Sequence, residues 1–198
     1  MLWYEEEVLR VEKVLSNLEY LPETVFYGSS TFTLWENLYT DFEELKPVNL
    51  GFGGSTIAAC AWFFDRIFAP VTSIKSILIY AGDNDLGDGR QPEEVCLFYR
   101  QLIFSIREKF GNIPCTFISI KPSLQRWNII EQIKSANTLI KAVTEEDEFQ
   151  HYIDIFPETL NAEGFPKKAL FEDDGLHLSK EGYAVWKEVI TKNISQLN

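Results

Sequence analysis

The chain has 198 residues, of which 45% are hydrophobic and 24% charged: enough for one domain with a sizeable core, and too apolar for disorder. The 30 acidic residues against 18 basic ones give a net charge of -12, a surface that repels nucleic-acid phosphates and anionic membranes alike. Residues 1–7 are acidic and lack the basic and apolar regions of a signal peptide, and no apolar run approaches the roughly 18 residues needed to span a bilayer, so no stable membrane insertion is expected. Cys60, Cys96 and Cys115 are far apart, odd in number and without CxxC spacing. They are expected to be buried thiols in a reducing compartment, the cytoplasm, and neither a disulfide framework nor a zinc site.

Apolar residues at Val8, Val11, Leu15 and Leu18 recur at helical spacing and predict a helix over 5–18, closed by Pro22. Thr24 to Tyr27 is the first strand, and 32–42, with Leu34, Trp35 and Leu38, the helix after it. Residues 47–50 form a short second strand running into Gly51, Gly53 and Gly54, followed by a buried helix over 56–68. The continuous apolar run 76–81 has the character of a parallel strand covered on both faces. It stops at Gly82 and an acidic loop. A helix over 92–110 follows, with Val95, Phe98, Tyr99, Leu102, Ile106 and Phe110 on one side, ended by Gly111 and Asn112. Residues 114–120 are the fourth strand, 128–143 a helix and 150–155 the fifth strand. After an irregular stretch through Pro157 and Pro166, Ser179 caps a last helix. Strand and helix alternate throughout. The expected fold is α/β: a doubly wound, flavodoxin-like, five-stranded parallel sheet in three layers, one domain over 1–198.

Three turns follow directly on predicted strands: Gly28-Ser29-Ser30, Gly51 to Ser55, and Gly82 to Asp85. In such a sheet all three lie along the edge formed by the carboxyl ends of the strands, where these folds bind ligands. A serine there needs a base to be a nucleophile at neutral pH. Of the two histidines, His151 lies inside the fifth strand and reads as structural. His177 lies in a loop, and Asp174, three residues earlier, is close enough to hold its imidazole in one tautomer.

Together these residues resemble the SGNH, or GDSL-type, serine hydrolase family over almost the whole chain. Gly28-Ser29-Ser30 is similar to its first block, with Ser30 at the nucleophile position. Residues 49–56 are similar to the second, where Gly54 would lend its backbone N–H to an oxyanion hole. Gly82, Asn84 and Asp85 match the GxND block, whose asparagine donates to the same hole. Asp174 and His177 match the DxxH block, the orienting acid and the base. The family's first block usually reads Gly-Asp-Ser; here Ser29 replaces the aspartate, leaving two adjacent serines, of which the register selects Ser30. The resemblance implies a serine esterase acting on carboxylic esters, small-molecule or carbohydrate, with no cofactor or metal. The absence of a long insertion suggests an open site for short acyl groups. A non-catalytic carbohydrate- or ligand-binding relative is the alternative.

Other patterns fit less well. Phe32 removes the Gly-x-Ser-x-Gly elbow of ordinary α/β-hydrolases. Asp83, Asp85 and Glu94 fall at calcium-loop positions 1, 3 and 12, but Asp88 occupies the position of the obligatory glycine. Lys121, Arg126 and Trp127 follow the fourth strand and could line the same edge and touch a polar leaving group.

Overall fold

The computed structural model describes residues 2–194. Five strands, β1 (Thr24–Gly28), β2 (Pro47–Gly51), β3 (Ser76–Tyr80), β4 (Cys115–Ile118) and β5 (Gln150–Ile153), pair in parallel in the order β2-β1-β3-β4-β5. The chain steps outward from β1 to β2, then crosses back over β1 to β3 and continues the other way. That reversal makes the crevice at the carboxyl ends of β1 and β3 the topological switch point.

Because successive strand side chains point to opposite faces, the sheet carries two cores. Val25, Tyr27, Leu50, Ile77, Ile79 and Phe117 pack with the buried faces of α1 (Glu5–Ser16), α4 (Ile57–Ile67), α6 (Pro92–Phe110) and α7 (Ile130–Thr144). Phe26, Leu78, Tyr80 and Ile118 face the opposite layer, built from the short α2 (Ser30–Thr33) and α3 (Leu38–Asp41) and from α8 (Lys180–Ile194). Ser179 caps α8 as expected, its Oγ accepting from the Gly182 N–H at 3.2 Å.

The helix expected over 32–42 is instead two single turns, α2 and α3, with the chain bending at Trp35 between them. Trp35 is only 3% exposed, and Leu34 is left at the surface. The Trp35 Nε1–H donates to Asp41 Oδ2 at 2.8 Å, and its ring lies 5.0 Å from Tyr183 and 6.3 Å from Trp186 in α8. Burying one indole against a distant helix outweighs the local periodicity.

The acidic loop after Gly82 winds into a one-turn helix, α5 (Asp83–Gly87). Asp85 is fully buried, and its carboxylate accepts from the Ile57 N–H at 2.6 Å and the Ala58 N–H at 3.4 Å, while the Thr56 hydroxyl accepts from Ala59 N–H at 3.0 Å. These are the otherwise orphaned donors at the start of α4. Burial pushes the Asp85 carboxyl up to about 6, against the pull of the Ile57 N–H and of Arg90. Asp83 is committed too, its Oδ2 lying 3.2 Å from Lys121 Nζ. The two carboxylates at calcium-loop positions thus fasten α5 to α4 and to the segment that follows β4.

Cys60 and Cys115 are buried as expected, whereas Cys96 is only half-buried. It lies on α6 between the buried Val95 and the exposed Leu97, at the edge of the helix face that packs on the core.

Candidate active site

Everything at the switch point starts from Gly28. A Cβ there would stand 1.9 Å from the Tyr80 carbonyl oxygen, and the backbone has φ +153, so only glycine lets β1 end this close to β3. Ser29 N–H donates to that same carbonyl at 2.9 Å. Ser29 is almost wholly buried and stands as the extended residue before α2, so Ser30 opens the helix, half-buried at the sheet edge.

The DxxH loop brings its imidazole to this point from 147 positions away. His177 Nε2 lies 3.2 Å from Ser30 Oγ, and His177 Nδ1 lies 2.5 Å from Asp174 Oδ2. Asp174 also shapes its own loop, Oδ1 accepting from the N–H of Leu176 at 2.8 Å and of His177 at 3.0 Å. Burial acts to raise the Asp174 carboxyl, but these two N–H donors and the imidazole together outweigh it and hold the group down at about 2. An ionised carboxylate only accepts, so the hydrogen sits on Nδ1 and the Nε2 lone pair faces the Ser30 hydroxyl.

The remaining donors come from the two neighbouring turns. Among the described residues, the backbone N–H groups of Ser30 and Gly54 have no acceptor. Gly54 has φ +68, a left-handed conformation that favours glycine, and nothing lies within 4 Å of where its Cβ would be. Asn84 Nδ2 donates to the Ser55 carbonyl at 3.0 Å, which leaves one of its two hydrogens free, and Oδ1 accepts from Arg126 Nη2 at 3.2 Å. A guanidinium has no acceptor atom, so Arg126 fixes which way the amide faces. The arginine reaches this position across Gly87, where a Cβ would overlap its Nη1.

The three residues after β4 therefore divide. Arg126 meets the site, as the sequence suggested. Trp127 packs against Phe165 with ring centroids 5.0 Å apart. Lys121 does not line the edge: it is 2% exposed, its ammonium donating to Tyr80 Oη at 3.1 Å and to Asp83 Oδ2 at 3.2 Å. Burial alone would lower its pKa, but the phenol and the carboxylate raise it overall, so the ammonium stays charged.

A cavity of about 470 Å³ opens beside His177, walled by Leu34, Trp35, Glu36, Glu172 and Tyr183 among others. This is within the range of small-molecule sites. Its aromatic wall was not readable locally, because it exists only where the bend at Trp35 meets α8. Tyr183 Oη–H donates to the Thr31 carbonyl at 2.9 Å, bolting α8 to the helix that begins at Ser30.

A hydroxyl, an imidazole and a carboxylate in hydrogen-bonded series, at the switch point of a three-layer parallel sheet, define the class of Ser-His-Asp α/β proteins. The chain belongs to the GDSL-like lipase/acylhydrolase family, whose sequence profile matches residues 24–185. No curated protein matches it. Among solved structures it is similar to a Streptococcus pneumonia protein named for platelet activating factor, with 18% identity, a TM-score of 0.84, and coverage of 96% of this chain and 92% of that one. A GDSL-like lipase from Bacteroides thetaiotaomicron is similar at 16% identity and TM-score 0.79, covering 98% of both chains. A carbohydrate esterase family 3 protein from Talaromyces cellulolyticus is similar at 17% identity and TM-score 0.67, with 88% of this chain and 97% of that one covered. At these identities the likeness is one of fold.

Proposed function

We propose that this protein is a serine esterase that hydrolyses carboxylic esters of short acyl groups through an acyl-enzyme intermediate. The observation that carries the reading is the series Ser30 Oγ, His177 Nε2, His177 Nδ1, Asp174 Oδ2, with contacts of 3.2 and 2.5 Å. Ser30 Oγ attacks the ester carbonyl carbon while His177 Nε2 takes its proton; the carbonyl oxygen becomes an oxyanion, held by Ser30 N–H, Gly54 N–H and the free Asn84 N–H. Collapse breaks the carbon–oxygen bond to the alcohol, which leaves with the proton from Nε2. Water then attacks the acyl-serine, giving its proton to Nε2, and the acid departs as Ser30 recovers the hydrogen. Asp174 stays ionised throughout and steadies the imidazolium.

The cavity that includes His177 is assigned to the alcohol, because the imidazole must hand its proton to that oxygen. Its mix of aromatic faces and carboxylates suits a polar or carbohydrate alcohol. No partner beyond such a small ester is invoked.

A fluorophosphonate probe separates the esterase from a binding relative that keeps the pocket, since only an activated serine reacts. Labelling of folded protein at neutral pH, confined to Ser30, is the expected result; its absence would favour the binder. Iodoacetamide at the same pH is expected to leave ester hydrolysis unchanged. Burial pushes the Cys60, Cys96 and Cys115 thiols up, Cys115 to about 12, which disfavours the thiolate, and none of the three is among the residues of the proposed site.

A further inference from the structure

The second turn is gripped from a part of the chain that lies outside the family match. Tyr4 and two residues of α1 each reach into residues 51–54. Arg10 Nη2 donates to the Gly51 carbonyl at 2.6 Å, Glu7 Oε2 accepts from the Gly53 N–H at 2.6 Å, and Tyr4 Oη donates to the Gly54 carbonyl at 3.2 Å. Arg10 also pairs with Glu7, Nη2 to Oε2 at 3.1 Å. The Tyr4 ring meets Phe52, between the glycines, edge-on at 5.8 Å.

The order of these contacts along the backbone is informative. Gly53 N–H belongs to the peptide joining 52 and 53, and the Gly54 carbonyl to the peptide joining 54 and 55. Between them lies one peptide unit, the one that carries the Gly54 N–H. Glu7 and Tyr4 therefore hold the units on either side of the candidate oxyanion donor and leave that donor itself without an acceptor. Two consecutive glycines have the most backbone freedom of any dipeptide, so a donor carried by them is aimed only if something outside the turn aims it. A carboxylate next to a turn that must stabilise negative charge would work against it electrostatically. Arg10, bonded to both Glu7 and the turn, offsets that charge.

We propose that the N-terminal helix is an oxyanion-hole clamp, with Tyr4, Glu7 and Arg10 as positioning residues for the Gly54 N–H. This rests on the esterase reading of the site. The residues touch no substrate; they act through the backbone of Gly53 and Gly54.

The test compares Glu7→Ala, Glu7→Gln, Tyr4→Phe and Glu12→Ala on a soluble short-chain p-nitrophenyl ester, with thermal midpoints and amide hydrogen exchange measured on each. Glu7→Ala is expected to lower kcat by roughly 10- to 100-fold with KM within about 3-fold of wild type, the size of a misaimed catalytic group. Exchange at the Gly53 amide should accelerate. Glu7→Gln keeps an acceptor and should recover most of the rate. Tyr4→Phe keeps the ring against Phe52 and should cost a few-fold in kcat. Glu12 lies on the same helix but pairs with Arg66 at 2.8 Å, away from the turn, so Glu12→Ala should leave kcat unchanged. If a folded Glu7→Ala keeps the wild-type kcat, or loses only KM, or if Glu12→Ala loses as much, the clamp is overturned while the esterase reading stands. Should Glu7→Ala fail to fold, the same judgement falls to Tyr4→Phe, for which an unchanged kcat overturns the proposal. A wild-type protein that neither turns over esters nor takes the fluorophosphonate label overturns the esterase reading and the clamp with it.

Discussion

Ser30→Ala should abolish ester hydrolysis, with a loss on the order of 10⁵- to 10⁶-fold in kcat, while Ser29→Ala keeps much of the wild-type rate. The two hydroxyls are neighbours in sequence and differ in everything the reaction needs. Ser30 Oγ stands 3.2 Å from the imidazole of His177, whereas Ser29 is almost wholly buried, its backbone N–H donating to the Tyr80 carbonyl. Alanine at 29 keeps that backbone bond. Steady-state hydrolysis of an acetyl ester, with mass spectrometry of the labelled peptide, checks both variants; a silent Ser29→Ala beside an active Ser30→Ala would reverse the assignment.

Asp174→Asn is the second large effect. An amide offers its NH₂ to Nδ1, or accepts from it without charge, so the imidazole loses both its fixed tautomer and the anion that steadies it when protonated. The expected loss is on the order of 10³- to 10⁴-fold in kcat. The same geometry gives the pH direction. The folded carboxyl is held at about 2, below its ordinary value of 3.8, so the interactions it makes are fully present above pH 3.8 and are lost as the pH falls through about 2. The acid-side fall of kcat/KM should therefore not come from Asp174. A pH profile of the wild type, recorded with circular dichroism to confirm folding, checks this: an acid limb above pH 3.8 that is absent from Asp174→Asn would contradict it.

Much of this could be read without coordinates because the informative residues act locally. After Ser76 the run to Ala81 is continuously apolar or aromatic, the mark of a strand buried on both faces, and β3 takes up Ser76–Tyr80. The GxND and DxxH blocks impose their own turns: Asp174 folds the loop that presents His177 with bonds to residues two and three positions away. Long-range partners were not legible. The bend at Trp35 needs Tyr183 and Trp186, and the burial of Lys121 needs Asp83 and Tyr80, 38 and 41 positions distant. Helical spacing finds Val8 and Val11 in α1 but says nothing of why Glu7 and Arg10 face a glycine turn. For the same reason Asp85 read as a member of a motif, and its work as the cap of α4 became visible only with the fold.

Tyr183, bonded across 152 positions to the Thr31 carbonyl, has one more consequence. The serine is synthesised 147 positions ahead of its base, and the helix that fastens it comes later still. A nascent chain that has emerged as far as β5 holds the hydroxyl, the glycine turns and Asn84 but not yet His177; the histidine it does hold, His151, lies within β5. Domains fold as units while synthesis proceeds. On the proposed esterase reading, the centre is complete only once α8 has docked, and a chain ending at β5 should not hydrolyse esters.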